Sequence, residues 1–226
     1  MECAPMALTA LKRQPAEQMA ADALKEAILT GALKPGERLT EIVLSEQFGV
    51  SRGTVRIALH QLSGDGLVVL TPYTGWSVAS FEPRDIWEIY TLRGSLEAMA
   101  ARLASEQLDA EGAGRLEQVA EELFAAVRRN DEIAEIMRRD FVLHRCIVEL
   151  SKNGRLLNHY RMVEQQVRMF ISSTYTPRAD MSIVIEHHSP IVEAILRRKP
   201  RLAARLCEHH CLSEGERILK LAPRDI

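Results

Sequence analysis

The sequence predicts a mainly α-helical protein in two parts, a small N-terminal unit of helices and one β-hairpin followed by a larger all-helical bundle. Three observations predict it. Apolar residues recur at i, i+3, i+4 and i+7 along most of the chain, which is the helical period. The β-like runs "LVVL" and "WSVAS" sit close together around the turn signal "TPYTG". From Pro83 onward the strand signal disappears. The 226 residues, 46% hydrophobic and 27% charged, are ordinary for a globular protein and sufficient for two cores.

Taken in order, residues 1–14 read as a mobile tail, and "AEQMAADALKEAILTG" reads as a helix stopped at Gly31. "ALKPGERL" is a turn punctuated by Pro35-Gly36. "TEIVLSEQF" forms a short helix after Thr40 and ends at Gly49. Ser51 caps the next helix, "RGTVRIALHQLSGDG", whose inner stripe is Val55, Ala58, Leu59 and Leu62. The hairpin follows. Beyond it come six helices, at roughly 83–107, 110–129, 131–151, 154–173, 181–198 and 200–220. The change near Ser80–Pro83 divides the chain into domains 15–80 and 81–226. Pro190 either kinks the fifth of these helices, or Ser189 caps a new one there.

The formal net charge is −2, with acidic and basic residues balanced in both parts, so any nucleic-acid contact must come from a local patch. Four cysteines (Cys3, Cys146, Cys207 and Cys211) form no C-x-x-C pair and read as reduced structural thiols. The N-terminus "MECAPMALTALKR" lacks a basic leader, and no uncharged run approaches the ~20 apolar residues of a membrane span. These features predict a cytoplasmic protein without a membrane partner.

The helix after Val50 carries the first functional chemistry. Arg52, Arg56 and His60 are spaced by four and lie opposite the Val55/Leu59/Leu62 stripe, while Gly53 and Thr54 keep that end slim. A major groove about 12 Å wide admits one helix, and arginine contacts guanine O6/N7 with its fork. Tyr73, Thr74 and Gly75 at the hairpin tip are placed to reach the adjacent backbone or minor groove. The stretch "LTEIVLSEQFGVSRGTVRIALHQLSGDGLVVL", with "GALKPGERL" ahead of it, closely resembles the winged helix-turn-helix domain of the GntR family of bacterial transcription regulators. The motif carrying the resemblance is G-V-S-R-x-x-V-R-x-A-L-x-x-L-x-x-x-G-L. It implies that the hairpin is the wing and that Arg52 and Arg56 are base- and phosphate-contacting arginines, with Ser51, Gly53 and Thr54 completing the DNA-facing end. The chain departs from the family at Gly53-Thr54, where Thr-Pro is usual, and at Ile57, where Glu is usual.

The second chemistry lies in "RRDFVLHRCIV", residues 138–148. As a helix, Ile133, Met137, Phe141, Ile147 and Val148 form one apolar stripe, and Asp140 and His144 fall within it. An unpaired carboxylate there costs several kcal/mol and demands a partner. His188 continues a stripe of Val184, Ile191, Val192 and Ile195, and His210 follows Leu206 by one turn. Three imidazoles and a carboxylate converging from three helices suit a divalent transition metal, Zn, Ni, Mn or Fe. Periodicity favours His188 over His187; His209 remains a rival of His210. Arg93 shares a stripe with Ile86, Ile89, Tyr90 and Ala100, and has two readings: a salt bridge with Glu97 one turn on, or a guanidinium facing the cavity.

The segments "LRGSLEAMAARLA", "DFVLHRCIVELSKNGRLL" and "EHHSPIVEAILRRKPRLAARLCEHH" resemble, in order and spacing, the FCD ligand-binding domain found downstream of this winged-helix type. The resemblance implies metal ligands at Asp140, His144, His188 and His210, and a carboxylate effector held in part by Arg93. It further implies a homodimer on a pseudo-palindromic double-stranded DNA operator, acting as a repressor that the effector releases, and no enzymatic activity. A rival from another class is a metal-dependent hydrolase fused to a DNA-binding domain, against which weigh the lack of H-E-x-x-H and G-x-S-x-G motifs. A milder alternative keeps the regulator and makes the cluster a metal-free polar effector pocket.

Overall fold

The computed structural model describes residues 14–174 and 181–221, so the expected tail lies outside the described residues apart from Gln14, and Cys3 lies outside them too. Among the described residues there are nine helices and three short strands, arranged as the sequence divides them. The N-terminal part comprises α1 (Ala16–Leu29), β1 (Arg38–Leu39), α2 (Glu41–Phe48), α3 (Arg52–Gly64), β2 (Val68–Thr71) and β3 (Gly75–Val78). Helix α1 buries Ala20, Ala21, Leu24 and Ile28 on one face. Gly49 ends α2 in the left-handed region at φ 63°, and the Ser51 hydroxyl accepts from the Thr54 N–H to start α3. The two caps fix the turn between the helices.

The sheet has the order β1-β3-β2, antiparallel throughout, with Leu39 opposite Trp76 and Val68 opposite Val78. Strand β1 is a correction to the sequence reading, which made the whole of "ALKPGERL" a turn. Two residues are too few to show alternation; the strand exists because the turn delivers Glu37, whose carbonyl accepts from the Val78 N–H at 2.8 Å. Gly75 is likewise the first residue of β3 rather than the tip, pairing with Thr71. Leu24, Leu59, Leu62, Leu67, Val68 and Trp76 meet in the core of this unit.

The C-terminal part comprises α4 (Pro83–Gln107), α5 (Ala110–Arg128), α6 (Ile133–Leu150), α7 (Gly154–Thr174), α8 (Ser182–Leu196) and α9 (Pro200–Leu221). Helix α4 starts with proline at its first position and a reciprocal cap between Glu82 and Asp85. Helix α8 runs on through Pro190, so Ser189 caps no new helix. Helices α4 and α9 lie close enough that a Cβ on Gly215 would sit 2.7 Å from the Tyr90 Cβ. That approach presses His210 and Tyr90 toward the same interior space. Helix α7 also reaches back, placing Met169 in the N-terminal core and Phe170 edge-on to Phe81. The head piece therefore rests on α7.

Candidate metal centre and DNA-reading face

Helix α6 turns Ile136, Asp140, Leu143, His144 and Ile147 inward, and all are buried. Helix α8 adds His188 and α9 adds His210, both buried. The His188 Nε2 lies 3.0 Å from the His144 Nε2 and 2.9 Å from Asp140 Oδ1, while His144 Nε2 is 3.7 Å from Asp140 Oδ2. His210 stacks on His144 with centroids 5.1 Å apart and meets His188 edge-on at 4.4 Å. Each of the three imidazoles offers a nitrogen within 4.8 Å of the others.

The outer nitrogens of two of these rings are already committed. His188 Nδ1 lies 2.7 Å from the Val184 carbonyl, which can only accept, so Nδ1 carries the proton. His144 Nδ1 lies 2.6 Å from Glu97 Oε2, and Glu97 is an ionised acceptor. Both rings therefore turn Nε2 toward one another, with a carboxylate oxygen beside them. These atoms stand 2.9–3.7 Å apart, a spacing that either a proton on His188 Nε2 or a metal cation among them accommodates. The donor set, imidazole nitrogens backed by a carboxylate and a carbonyl plus one carboxylate ligand, fits a divalent transition ion.

Burial opposes a charge on His188, but the Asp140 carboxylate and the Val184 carbonyl outweigh it and raise this imidazole above its ordinary range, so without a metal the ring shares a proton with Asp140. Burial opposes ionisation of Asp140, but His188 and His144 overcome it and hold the carboxyl below the ordinary range. Glu97 behaves alike: burial opposes its charge, and Arg93 and His144 more than compensate. Burial, reinforced by His188 and His144, pushes His210 well below the usual imidazole range, so it presents a neutral ring. The acids are charged and His210 is a lone-pair donor.

Beside this cluster is a cavity of about 40 Å³, lined among others by Tyr90, Arg93, Asp140, His188 and His210, with His187, Glu214 and Arg217 further along it. Such a space holds a few water-sized groups. Arg93 Nε donates to Glu97 at 2.6 Å, yet its Nη2, the Tyr90 hydroxyl and His210 Nδ1 are buried with no hydrogen-bond partner. The salt bridge with Glu97 read from the sequence is therefore present, and Arg93 also lines the cavity. Orphaned donors of this kind, gathered at one cavity, call for an acceptor-rich ligand. Cys207 donates weakly to Glu97 at 3.6 Å; its hydrogen bond with Cys211, then burial, raise its thiol pKa, and it packs as a structural thiol.

On the head piece, α3 presents Arg52, 59% exposed at the side chain, while Arg56 is tied to Glu41 by two bonds of 2.9 and 2.7 Å. The Trp76 indole also donates to Glu41, at 3.3 Å, whereas Arg52 comes no nearer than 4.0 Å. Tyr73 is fully exposed at the hairpin tip with φ 65°, flanked by Thr74 and by Gly75 at φ 98°. His60 turns onto Trp76, centroids 4.8 Å apart.

Residues 16–78 match the family described as "Bacterial regulatory proteins, gntR family", and residues 88–213 match the "FCD domain". The chain is 32% identical over 203 residues to the "Uncharacterized HTH-type transcriptional regulator YdhC" of Bacillus subtilis, covering 85% of this chain and 91% of that one. It is 28% identical to the "Nta operon transcriptional regulator" of Aminobacter aminovorans, covering 83% and 87%. The chain belongs to the GntR family and carries an FCD domain. In fold, this GntR regulator resembles the solved Escherichia coli McbR/YncC with a TM-score of 0.74 at 24% identity, over 92% of this chain and 98% of that one.

Within this GntR regulator the four residues read from sequence as ligands come together; His209 is exposed, while His187 is half-buried at the cavity with its ring edge-on to His210, centroids 5.9 Å apart, outside the group of three converging imidazoles. Sequence reasoning missed Glu97 as the partner of His144, Tyr90 as a cavity donor, and Glu41 as the anchor of Arg56. Tyr90 and Glu97 did share the Arg93 stripe, which was the available signal. Nothing in the spacing of Glu41 announced its partner on another helix. No helix among the described residues is long and apolar enough to cross a membrane.

Proposed function

We propose that this GntR/FCD regulator binds a pseudo-palindromic operator as a homodimer and senses a small carboxylate in its C-terminal domain. Its domains are taken as 15–80 for DNA and 81–226 for effector and dimerisation, and it acts in the cytoplasm without an enzymatic reaction. Asp140, His144, His188 and His210 hold a divalent transition ion, which supplies an electrophilic point for an effector carboxylate. Tyr90 and the free Arg93 nitrogen orient that carboxylate by donating to its oxygens. The observation carrying this reading is the set of three orphaned buried polar atoms beside three converging imidazoles. Effector binding lowers operator affinity through the difference in its affinity for the two arrangements of the head pieces. Metal analysis of the purified protein, then calorimetric titration of a panel of small mono- and dicarboxylates with and without operator, tests it. Absence of stoichiometric metal, or no acid bound by the metal-loaded protein, would refute it.

The reading helix gives a graded expectation. Arg52 is free to fork onto a guanine edge, so Arg52→Ala is expected to weaken operator binding by ~1–3 kcal/mol and to relax one base position. Arg56, closed on Glu41, contributes as a positioned charge, and Arg56→Ala is expected to weaken binding evenly across sequences. Ser51, Gly53, Thr54, the tip residues Tyr73 and Thr74, and Gly75 at the start of β3 border that contact. Fluorescence anisotropy at fixed salt measures both effects, and equal losses of specificity would contradict the distinction.

Helices α4 and α9, whose inner sides line the cavity, expose Trp87 (58%), Met99 and Leu212 on their outer sides, beside a groove that Trp87, Thr91, Leu212 and Leu219 border. Apolar surface of this kind on a protein requiring two half-site readers is taken as the dimer face. Trp87→Glu with Leu212→Glu is expected to give a monomer by sedimentation velocity, with operator affinity reduced at least tenfold, on the order of 1.4 kcal/mol. A double variant that sediments as the wild type places the dimer face elsewhere.

A further inference from the structure

Ile57 is a bulky apolar residue where the reading helix faces outward. Helix α3 turns Val55, Ala58, Leu59 and Leu62 into the core. At about 100° of rotation per residue, the opposite direction falls on Gly53, Ile57 and His60. His60 is committed to Trp76, whereas Ile57 is 51% exposed and joins none of the hydrophobic clusters found among the described residues. Gly53, one turn before it, brings no side chain, and the nearest heavy atom to a Cβ built there is Ser51 Oγ at 3.7 Å. The first turn of the helix can therefore approach base edges closely, and Ile57 is the first bulk behind it.

The neighbouring polar readers narrow what Ile57 can do. Arg56 keeps its fork on Glu41, leaving Arg52 as the open guanidinium on this end. An isoleucine brought against base edges meets donors and acceptors everywhere except at the thymine C5 methyl, the one apolar group the major groove presents. Against the polar edges of other bases it would displace water without replacing the lost hydrogen bonds.

We infer that Ile57 is a specificity-determining residue that selects one thymine in each operator half-site, packing on its C5 methyl next to the base read by Arg52. The inference rests on α3 being the DNA reader proposed above. To test it, the full chain selects duplexes from a random pool, and the enriched duplex is rebuilt with deoxyuridine for each thymine in turn, which deletes only the methyl. The wild type should lose about fourfold in affinity per half-site at one symmetry-related thymine, as expected for one buried methyl. Ile57→Ala, with an unchanged melting temperature because Ile57 lies outside the core, should bind thymine and uracil duplexes equally. A wild type indifferent to every thymine methyl, or an Ile57→Ala variant with the same methyl sensitivity, overturns the inference while leaving α3 a reader. A pool that yields no enriched duplex overturns the reader itself and this inference with it.

Discussion

Glu97→Ala is expected to destabilise the C-terminal domain by about 3–5 kcal/mol, the cost of leaving a buried partner charge uncompensated. Glu97 is wholly buried and accepts from Arg93 Nε and His144 Nδ1, both at 2.6 Å. Alanine would leave the Arg93 guanidinium buried without its counter-charge, and at about 2–4 °C per kcal/mol the melting temperature should fall by roughly 6–20 °C. A second effect separates this residue from an ordinary salt-bridge partner. With Glu97 gone, nothing fixes the proton on His144 Nδ1, so its Nε2 no longer has to present a lone pair, and metal affinity should fall about 10–100-fold. Glu97→Gln, which can still accept from His144, should recover part of the metal affinity while leaving Arg93 unpaired. Thermal melts and competitive metal titration measure the two effects independently. An alanine variant that melts within 2 °C of the wild type, or binds metal as tightly, would remove Glu97 from the supporting role assigned to it.

Much of this arrangement was legible before the fold was known, because helical spacing says which residues share a face. The stripe through Asp140 and His144, the preference for His188 over His187, and the bounds of α4 all follow from one period. What spacing does not say is which face meets which. Glu97 and His144 belong to helices whose sequences carry no mark of each other, so Glu97 read only as the neighbour of Arg93, one turn away. Glu41 and Arg56 escaped for the same reason, since the clamp depends on the angle at which α2 and α3 cross. The choice between His209 and His210 needed the rotation of α9, which its close approach to α4 at Gly215 helps set. Strand β1 was hidden differently: it is too short to alternate, and it exists because β3 offers hydrogen-bonding groups at the place where the turn delivers it.

His188→Ala is expected to abolish metal-dependent behaviour while leaving the apo protein folded. His188 Nε2 is the atom nearest to both His144 and Asp140, at 3.0 and 2.9 Å. In the apo protein this nitrogen pairs with Asp140, so truncation costs that pair as well as packing, and the apo variant should melt below the apo wild type while remaining folded. The loaded state should differ sharply. Metal at a thousand times its Kd stabilises the wild type by about 4.1 kcal/mol. If roughly 10–16 kcal/mol of binding energy is shared by four ligands, losing one lowers affinity about a hundredfold or more, and the same metal concentration then contributes about 1.4 kcal/mol or less. Operator binding without effector should persist, since α3 packs on its own core of Val55, Leu59 and Leu62. Paired melts with and without metal, metal analysis, and operator titration with and without the active carboxylate read out each part. Full metal content together with a wild-type effector response would exclude His188 from the site, and an apo variant that unfolds outright would show that His188 holds the core together and make its place beside Asp140 a matter of packing.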